Sequence, residues 1–561
     1  MHKRKIKYTL ELVLVSILLI NLQLISVGQE DKLNKEVQVV RPYEPSISDA
    51  FKINTQPKID DTLKFNTNFT YNIIQRPIIA NYNVIPITPA RMLPEELPTL
   101  QNTYIKLGFG NHYSPIFDVF FQNGRSNEYS FGGWVQHHSA FGDIKLNNNN
   151  QVDANYGNTE INLFGKKILK NSILSGAAGF NNHKMNYYGY DFKATTINPK
   201  DAPKEQKYNS FDANVKYESS YKDSTHLNYL FNTGFDHLGD NFDMQENLLF
   251  LSLRMDKFQK GGEHFGGEFP LKNYMKNSNL DSVNNTIVSL SPWINLFGKQ
   301  WRALAGISLV FDKNGPNSQS YFYPKGLLSY DIISHYFIPY VEIGGYLEEN
   351  SYAKITSENP WVLPGLNTSN TNHKLILTGG IKGNLSTKVS YNLYANYSLI
   401  DSMHFFVNAN LNSTNPLYNR FGVETDNVAL TTFLGELTIA PSPKLNFFFR
   451  AQYDSYSMHN IEKPWHKPDY QGMASVRYSI QDKILVKLDF FGSGKRPVRL
   501  ADNTTTSLKG LADLNLGIEY RYNSKLSAFL NLNNLTSKKY DLWYLYPMYR
   551  FNMNMGLTYS F

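Results

Sequence analysis

The sequence predicts an all-β protein: a transmembrane antiparallel β-barrel of about 22 strands, or 20 or fewer, preceded by an extended proline-rich N-terminal arm. Three observations carry this. The last twelve residues, Arg550 to Phe561, alternate apolar and polar side chains. Ten tight polar turns punctuate the chain between residues 103 and 561. The flanking segments keep charge on one face over roughly the 9–11 residues that a strand needs to cross a bilayer.

In the terminal segment Phe551, Met553, Met555, Leu557, Tyr559 and Phe561 share one side of a strand. Asn552, Asn554, Gly556, Thr558 and Ser560 share the other, because successive side chains point to opposite faces. A soluble sandwich strand can alternate in the same way. The segment resembles the closing strand of outer-membrane β-barrels, and the resemblance makes its six apolar residues the signal that barrel-assembly machinery reads.

Composition agrees. The 561 residues include 38 Tyr, 36 Phe and no Cys, and only 18% are charged. Aromatic and neutral polar residues suit strands with lipid on one side and water on the other. Without Cys there are no disulfides, thiolate metal sites or lipidated N-terminal cysteine. The formal charge of +7 falls to +4 without residues 1–28, which gives no basis for nucleic-acid binding.

The chain divides into residues 1–28, 29–102 and 103–561. Lys3, Arg4, Lys5 and Lys7 precede an apolar run from Leu10 to about Val27, and Ser26-Val27-Gly28 places small residues before Gln29. This reads as a cleaved signal peptide, with an uncleaved anchor as the alternative. Later runs are too short for a helical span, so only a closed barrel could cross a membrane.

Residues 29–100 hold eight of the 25 prolines, which argues against a regular sheet. Val37, Val39 and Val40, Ile73 and Ile74, Ile78 and Ile79, and Val84, Ile85 and Ile87 form apolar patches that a plain linker would not need. The arm is expected to dock on the barrel's inner wall, on its periplasmic rim or on another outer-membrane or periplasmic protein. Val37, Val39, Val40, Arg41, Pro42 and Tyr43 are the candidate partner or plug contacts. Glu36 to Val40 resembles the short energy-coupling box of TonB-dependent receptors, where an extended segment adds to a partner's sheet edge. Docking onto the protein itself is the simpler reading.

The ten turns lie near Asn123–Ser126, Lys170–Ser172, Lys222–Ser224, Lys257–Gly261, Gly298–Gln300, Ser334-His335, Ser386–Lys388, Pro441–Pro443, Gln481–Lys483 and Asn523–Lys525. Between them the alternation is regular. Leu445, Phe447, Phe449, Ala451 and Tyr453 oppose Asn446, Arg450, Gln452 and Asp454. Lys or Arg on the lipid face would cost ~2–4 kcal/mol at the midplane, so the charged face belongs to the lumen. Longer polar stretches, Leu146–Gln151, Thr195–Lys207, Leu280–Asn285, Ser351–His373 and Leu411–Asn427, read as outward-facing loops. Within the fourth, Asn359 to Pro364 is apolar enough to fold inward or to meet a partner.

Asn534 to Tyr540, Trp543, Tyr544, Tyr546 to Met548 and the closing strand resemble the C-terminus of TonB-dependent receptors. Ile87 to Met92, Pro94 and Leu97, with Ile105 to Gly110, resemble the start of the barrel in smaller receptor-like proteins. The resemblance implies an outer-membrane location, transport of a solute and a 22-stranded barrel. It also implies a folded plug ahead of the barrel, where this sequence has only the proline-rich arm as a reduced plug. The alternative function is a structural or assembly subunit of an outer-membrane complex.

No catalytic, cofactor or metal site is expected, and the protein is read as no enzyme. His137 and His138 are neighbours in a strand and so face opposite ways. Asp489 and Glu519 have basic neighbours and read as paired wall residues. No phosphate loop, zinc signature or nucleophile elbow occurs.

Overall fold

The computed structural model describes residues 101–561 apart from 148, 191–203, 222–224, 260–261, 278–281, 367 and 411–414. The signal, the arm and its contact residues Val37, Val39, Val40, Arg41, Pro42 and Tyr43 lie outside the described residues. So do Ile87 to Leu97, the turn Lys222–Ser224 and part of the turn Lys257–Gly261.

The chain forms one 22-stranded antiparallel sheet that closes on itself. It begins with Thr103–Gly110 and ends with Asn552–Ser560, and these two strands pair with each other. Nine of the ten expected turns fall, in their described residues, at strand junctions on the side where the barrel chain begins and ends. Closure follows from the solvent. Lipid offers no hydrogen bonds, so every backbone N–H and C=O in the membrane needs a partner on a neighbouring strand. Among the described residues the α-helix is short, Tyr352–Glu358, and no helix is long and apolar enough to span a membrane.

The faces sort as the alternation requires. Leu107, Phe109, Met555, Leu557 and Tyr559 are exposed on the outer surface, and Leu557 is 56% exposed. Asn554 and Thr558, between them in sequence, are buried against the inner wall. Tyr129, Phe297, Trp301, Tyr330, Tyr336 and Tyr522 are exposed at the turn end, forming an aromatic girdle of the kind that sits at headgroup depth. Lys487 pairs with Asp489 at 2.6 Å and Arg521 with Glu519 at 3.2 Å, so both acids are wall residues with basic partners.

The seam is tight. Leu107 pairs with Leu557 and Gly108 with Gly556, while Gly556 also pairs with Phe529 on its other side. A Cβ on Gly556 would overlap the Leu107 carbonyl oxygen. The two glycines leave room for the Phe529 ring, over which the Lys106 ammonium sits at 4.8 Å. A bulky residue here forces the first and last strands apart.

All five loop boundaries are narrower than expected. Strands Gln151–Asp153, Glu205–Ser219, Ser282–Phe297, Thr371–Ser386 and Phe421–Ser442 begin inside the stretches read as loops. The reason is length beyond the bilayer: Phe421–Ser442 has 22 residues and its partner Val389–Asn408 has 20. They rise past the membrane, where polar residues no longer mark the end of a strand.

Gly556→Val is expected to lower barrel stability by about 1–3 kcal/mol through overpacking at the seam. Leu557→Val on the outer face should change it by less than about 1 kcal/mol. Guanidinium unfolding in detergent micelles measures both.

Candidate functional site

At the barrel end opposite the tight turns, the described parts of the loops pack on one another. The connection 349–370 turns inward and crosses the mouth as a strap. Its Asn359–Pro364 stretch is the segment whose apolar character the sequence exposed, and Trp361 and Val362 are buried. Val362 forms a parallel bridge with Phe421.

Carboxylates and hydroxyls around the wall hold the strap. Glu246 accepts from the backbone N–H of Tyr352 at 2.7 Å and of Ala353 at 3.0 Å, at the start of the short helix. Ser351 caps the same turn through the Lys354 N–H. Lys276 lies 3.8 Å from Glu246, and both side chains are buried. Lys272 donates to both oxygens of Glu349, and the Tyr274 hydroxyl donates to one of them. Tyr352 donates to Asp240 at 2.8 Å, and Asn370 donates to Asp312 at 3.0 Å. Lys354 pairs with Glu348 on the adjoining strand. These anchors come from strands spread along the wall, so the strap is fixed at many points.

Above the strap the loops share an aromatic core. Trp361 stacks on Tyr546 at 4.1 Å, Tyr188 meets Tyr546 edge-on at 5.0 Å, and Phe406 meets Trp543 at 5.0 Å. Four polar tips find a carbonyl: Tyr188 donates to Pro547, Tyr208 to Pro360, Tyr546 to Asn419, and the Trp361 indole N–H to Asn186. Arg496, from the hairpin Arg496–Arg499, donates to the carbonyls of Asp541 and Leu542. Burying aromatics with satisfied hydroxyls gives area without desolvated orphans.

Two charged groups of the cap are displaced from their ordinary behaviour. Burial would raise the Glu358 carboxyl, but the hydrogen bond from His404 and the Lys467 charge hold it at about 2. His466 is pushed down to about 4 by burial, aided by Arg496 and Lys467 and opposed by its bond to the Phe406 carbonyl. That ring lies between Phe421 and Trp543 and donates through Nδ1 to Phe406.

Beneath the strap lies a polar cavity of about 610 Å³. Asn181, His183, Ser210, Asp212, Asp236 and His237 line its wall, and Ala353, Thr356, Ser357 and Pro360 of the strap roof it. A second cleft of about 400 Å³ follows the seam, between Lys106, Asp118, His138, Glu160 and Asn554. Another concavity, about 930 Å³, is an apolar furrow on the lipid-facing side floored by Gly379, Ala395, Gly435, Ala451 and Gly472. We place the site at the cap and cavity, where polar groups converge.

Of the terminal residues, Met555, Leu557 and Tyr559 lie exposed on the strand's outer face, Met553 is partly exposed near its start, and Phe551 and Phe561 flank its ends. They face lipid and take no part in the cap. His138 lines the seam cleft, while His137 bonds Thr159 at 2.8 Å on the other face. The cap residues Tyr187, Tyr188 and Arg420 were not singled out from sequence, and Tyr546 was named only within the C-terminal resemblance. The signal for the aromatics was the density of Tyr and Trp in the non-alternating stretches 187–190 and 543–549. Arg420 carried no signal.

Glu246→Ala is expected to cost about 3–5 kcal/mol, since it leaves Lys276 and two helix N–H groups buried without an acceptor. Lys487→Ala, at a half-exposed pair, should cost under about 1 kcal/mol. Acid is expected to loosen the cap. Because His466 is lowered on folding, the unfolded state binds the extra proton, so stability is full above about pH 6.5 and falls toward pH 4. The loss through Glu358 comes lower, from about pH 4.5 down through 2. Tryptophan emission against pH should show the upper phase, and His466→Phe should remove it.

The sequence matches no protein-family model and no curated protein. Solved structures do match. The FrpB iron transporter of Neisseria meningitidis superposes with a TM-score of 0.64 at 9% identity, over 83% of this chain and 82% of that one. The ferric-catecholate import receptor Fiu of Escherichia coli K12 gives 0.62 at 9% identity over the same shares. The pyoverdine receptor FpvA of Pseudomonas aeruginosa gives 0.61 at 11% identity, over 83% of this chain and 79% of that one. With its closed 22-stranded sheet and apolar outer belt, the chain carries the outer-membrane barrel fold of TonB-dependent receptors.

Proposed function

We propose that the protein passes an unidentified solute across the outer membrane, with the loop cap as its outer gate. Residues 29–102 act as a reduced plug from the periplasmic side. The observation that carries this reading is the strap 349–370, anchored to inward-facing carboxylates over the cavity that Asn181, His183, Asp212 and Asp236 line. A conduit needs a water-filled path and a means of closing it, and the strap with its aromatic core supplies the closure. The solved neighbours are described as receptors and transporters, which supports transport over catalysis. In this reading a signal peptide of residues 1–28 is removed on export. The Phe551–Phe561 face is then read by assembly machinery, and Val37 to Tyr43 meet the barrel or a periplasmic partner.

The many contacts that fix the strap favour a second reading, a structural or assembly subunit whose lumen stays blocked. Single-channel conductance in planar bilayers separates the two. The mature protein is expected to be silent. A form lacking residues 29–100 and carrying Trp361→Ala with Tyr546→Ala is expected to conduct as a wide pore. Silence of that form, with retained barrel structure, would end the transport reading and direct attention to co-purifying partners.

A further inference from the structure

Arg420 ends the connection 409–420 and is 1% exposed inside the cap. Its guanidinium carbon sits 4.3 Å from the Tyr187 ring centroid and 4.4 Å from that of Phe242. Among the described residues no carboxylate pairs with it, and Nη1 is enclosed without an acceptor. The Tyr187 hydroxyl, in the same cluster, is enclosed without a partner, as is the side-chain amide nitrogen of the adjacent Asn419. The unmet charged donor and the unmet Tyr187 hydroxyl thus belong to one ring–guanidinium contact.

A guanidinium stays protonated at any working pH. Buried and unpaired, it is costly unless something compensates it. The two rings compensate in part, because cations are attracted to aromatic faces. One guanidinium nitrogen, Nη1, is left enclosed without an acceptor. A carboxylate or phosphate oxygen accepts from such a group in a charge-assisted hydrogen bond.

We propose that Arg420, with the Tyr187 hydroxyl, is an anion-receiving site of the cap that takes the carboxylate or phosphate group of a small soluble solute. Tyr187 and Phe242 orient the guanidinium, and the solute supplies the missing acceptors when the loops part. The charge favours loop arrangements in which an anion is bound, which couples recognition to the gate. This rests on the transport reading for the direction of entry. The binding test contains no transport step, so the two can fail separately.

The test titrates the full chain in neutral detergent micelles with inorganic phosphate against chloride at equal ionic strength. The readouts are the unfolding midpoint and tryptophan emission. The wild type is expected to show a saturable rise of about 2 °C at ten times the apparent dissociation constant. Arg420→Lys should keep a weaker response and Arg420→Met should lose it. Without phosphate, Arg420→Met should be at least as stable as the wild type, since removing an uncompensated buried charge relieves its cost. A wild type with no saturable response overturns the proposal whatever the variants do. Equal responses in wild type and Arg420→Met overturn it too. So does a marked loss of stability in phosphate-free Arg420→Met, which would make Arg420 a packing residue. A response only to micelles doped with anionic lipid would assign the site to a headgroup and overturn the soluble-anion reading.

Discussion

The structure depends on one pairing, that of the first strand with the last. Without the ladder from Tyr104–Ser560 to Gly110–Asn554, two sheet edges would stand in lipid with their N–H and C=O groups unmet. Each unmet group costs several kcal/mol in hydrocarbon, so closure is a condition of existence in the membrane. Gly108 and Gly556 matter because they allow that pairing at close range. Phe529 and Lys106 then cover the glycine patch from the lumen side.

Once the sheet is closed, the two faces have different freedoms. The outer face is constrained to be apolar along its whole height. The inner face is free to vary, and this chain uses it to hold loops. Glu246, Lys272, Tyr274, Asp240, Asp312 and His404 all project inward, and each engages the strap or its ends. Charges that would be costly on the lipid side become anchors on the lumen side. The long strands Val389–Asn408 and Phe421–Ser442 extend this surface above the membrane, where Phe405, Phe406 and Phe421 are fully buried against the loops.

The cap also explains why aromatic residues are so common in this chain. Some serve the lipid belt and its girdle. Others, such as Tyr188, Trp361, Trp543 and Tyr546, build a small water-excluding core outside the membrane. That core has room for little polar error. The unpaired atoms within it include Arg420 Nη1 and His466 Nε2, and each carries the desolvation cost of an unmade hydrogen bond.

Much of the architecture was legible in the sequence, because alternation with period two is a local property enforced by lipid at every strand. Leu445 to Asp454 shows its two faces without reference to any neighbour, and the turns at Gln481–Lys483 and Asn523–Lys525 announce themselves by composition. Strand number follows from counting such turns. The Asn359–Pro364 stretch was visible as apolar, but not its destination. The strap, its anchors and the aromatic core were decided only by the tertiary structure. Their contacts join residues more than a hundred positions apart, such as Tyr352 with Glu246 and Tyr546 with Asn419. No periodicity records such pairs, because the register of the whole barrel decides which inward side chains share a height. Arg420 is the extreme case: one arginine in a loop, given meaning by two rings that closure of the barrel brings to it.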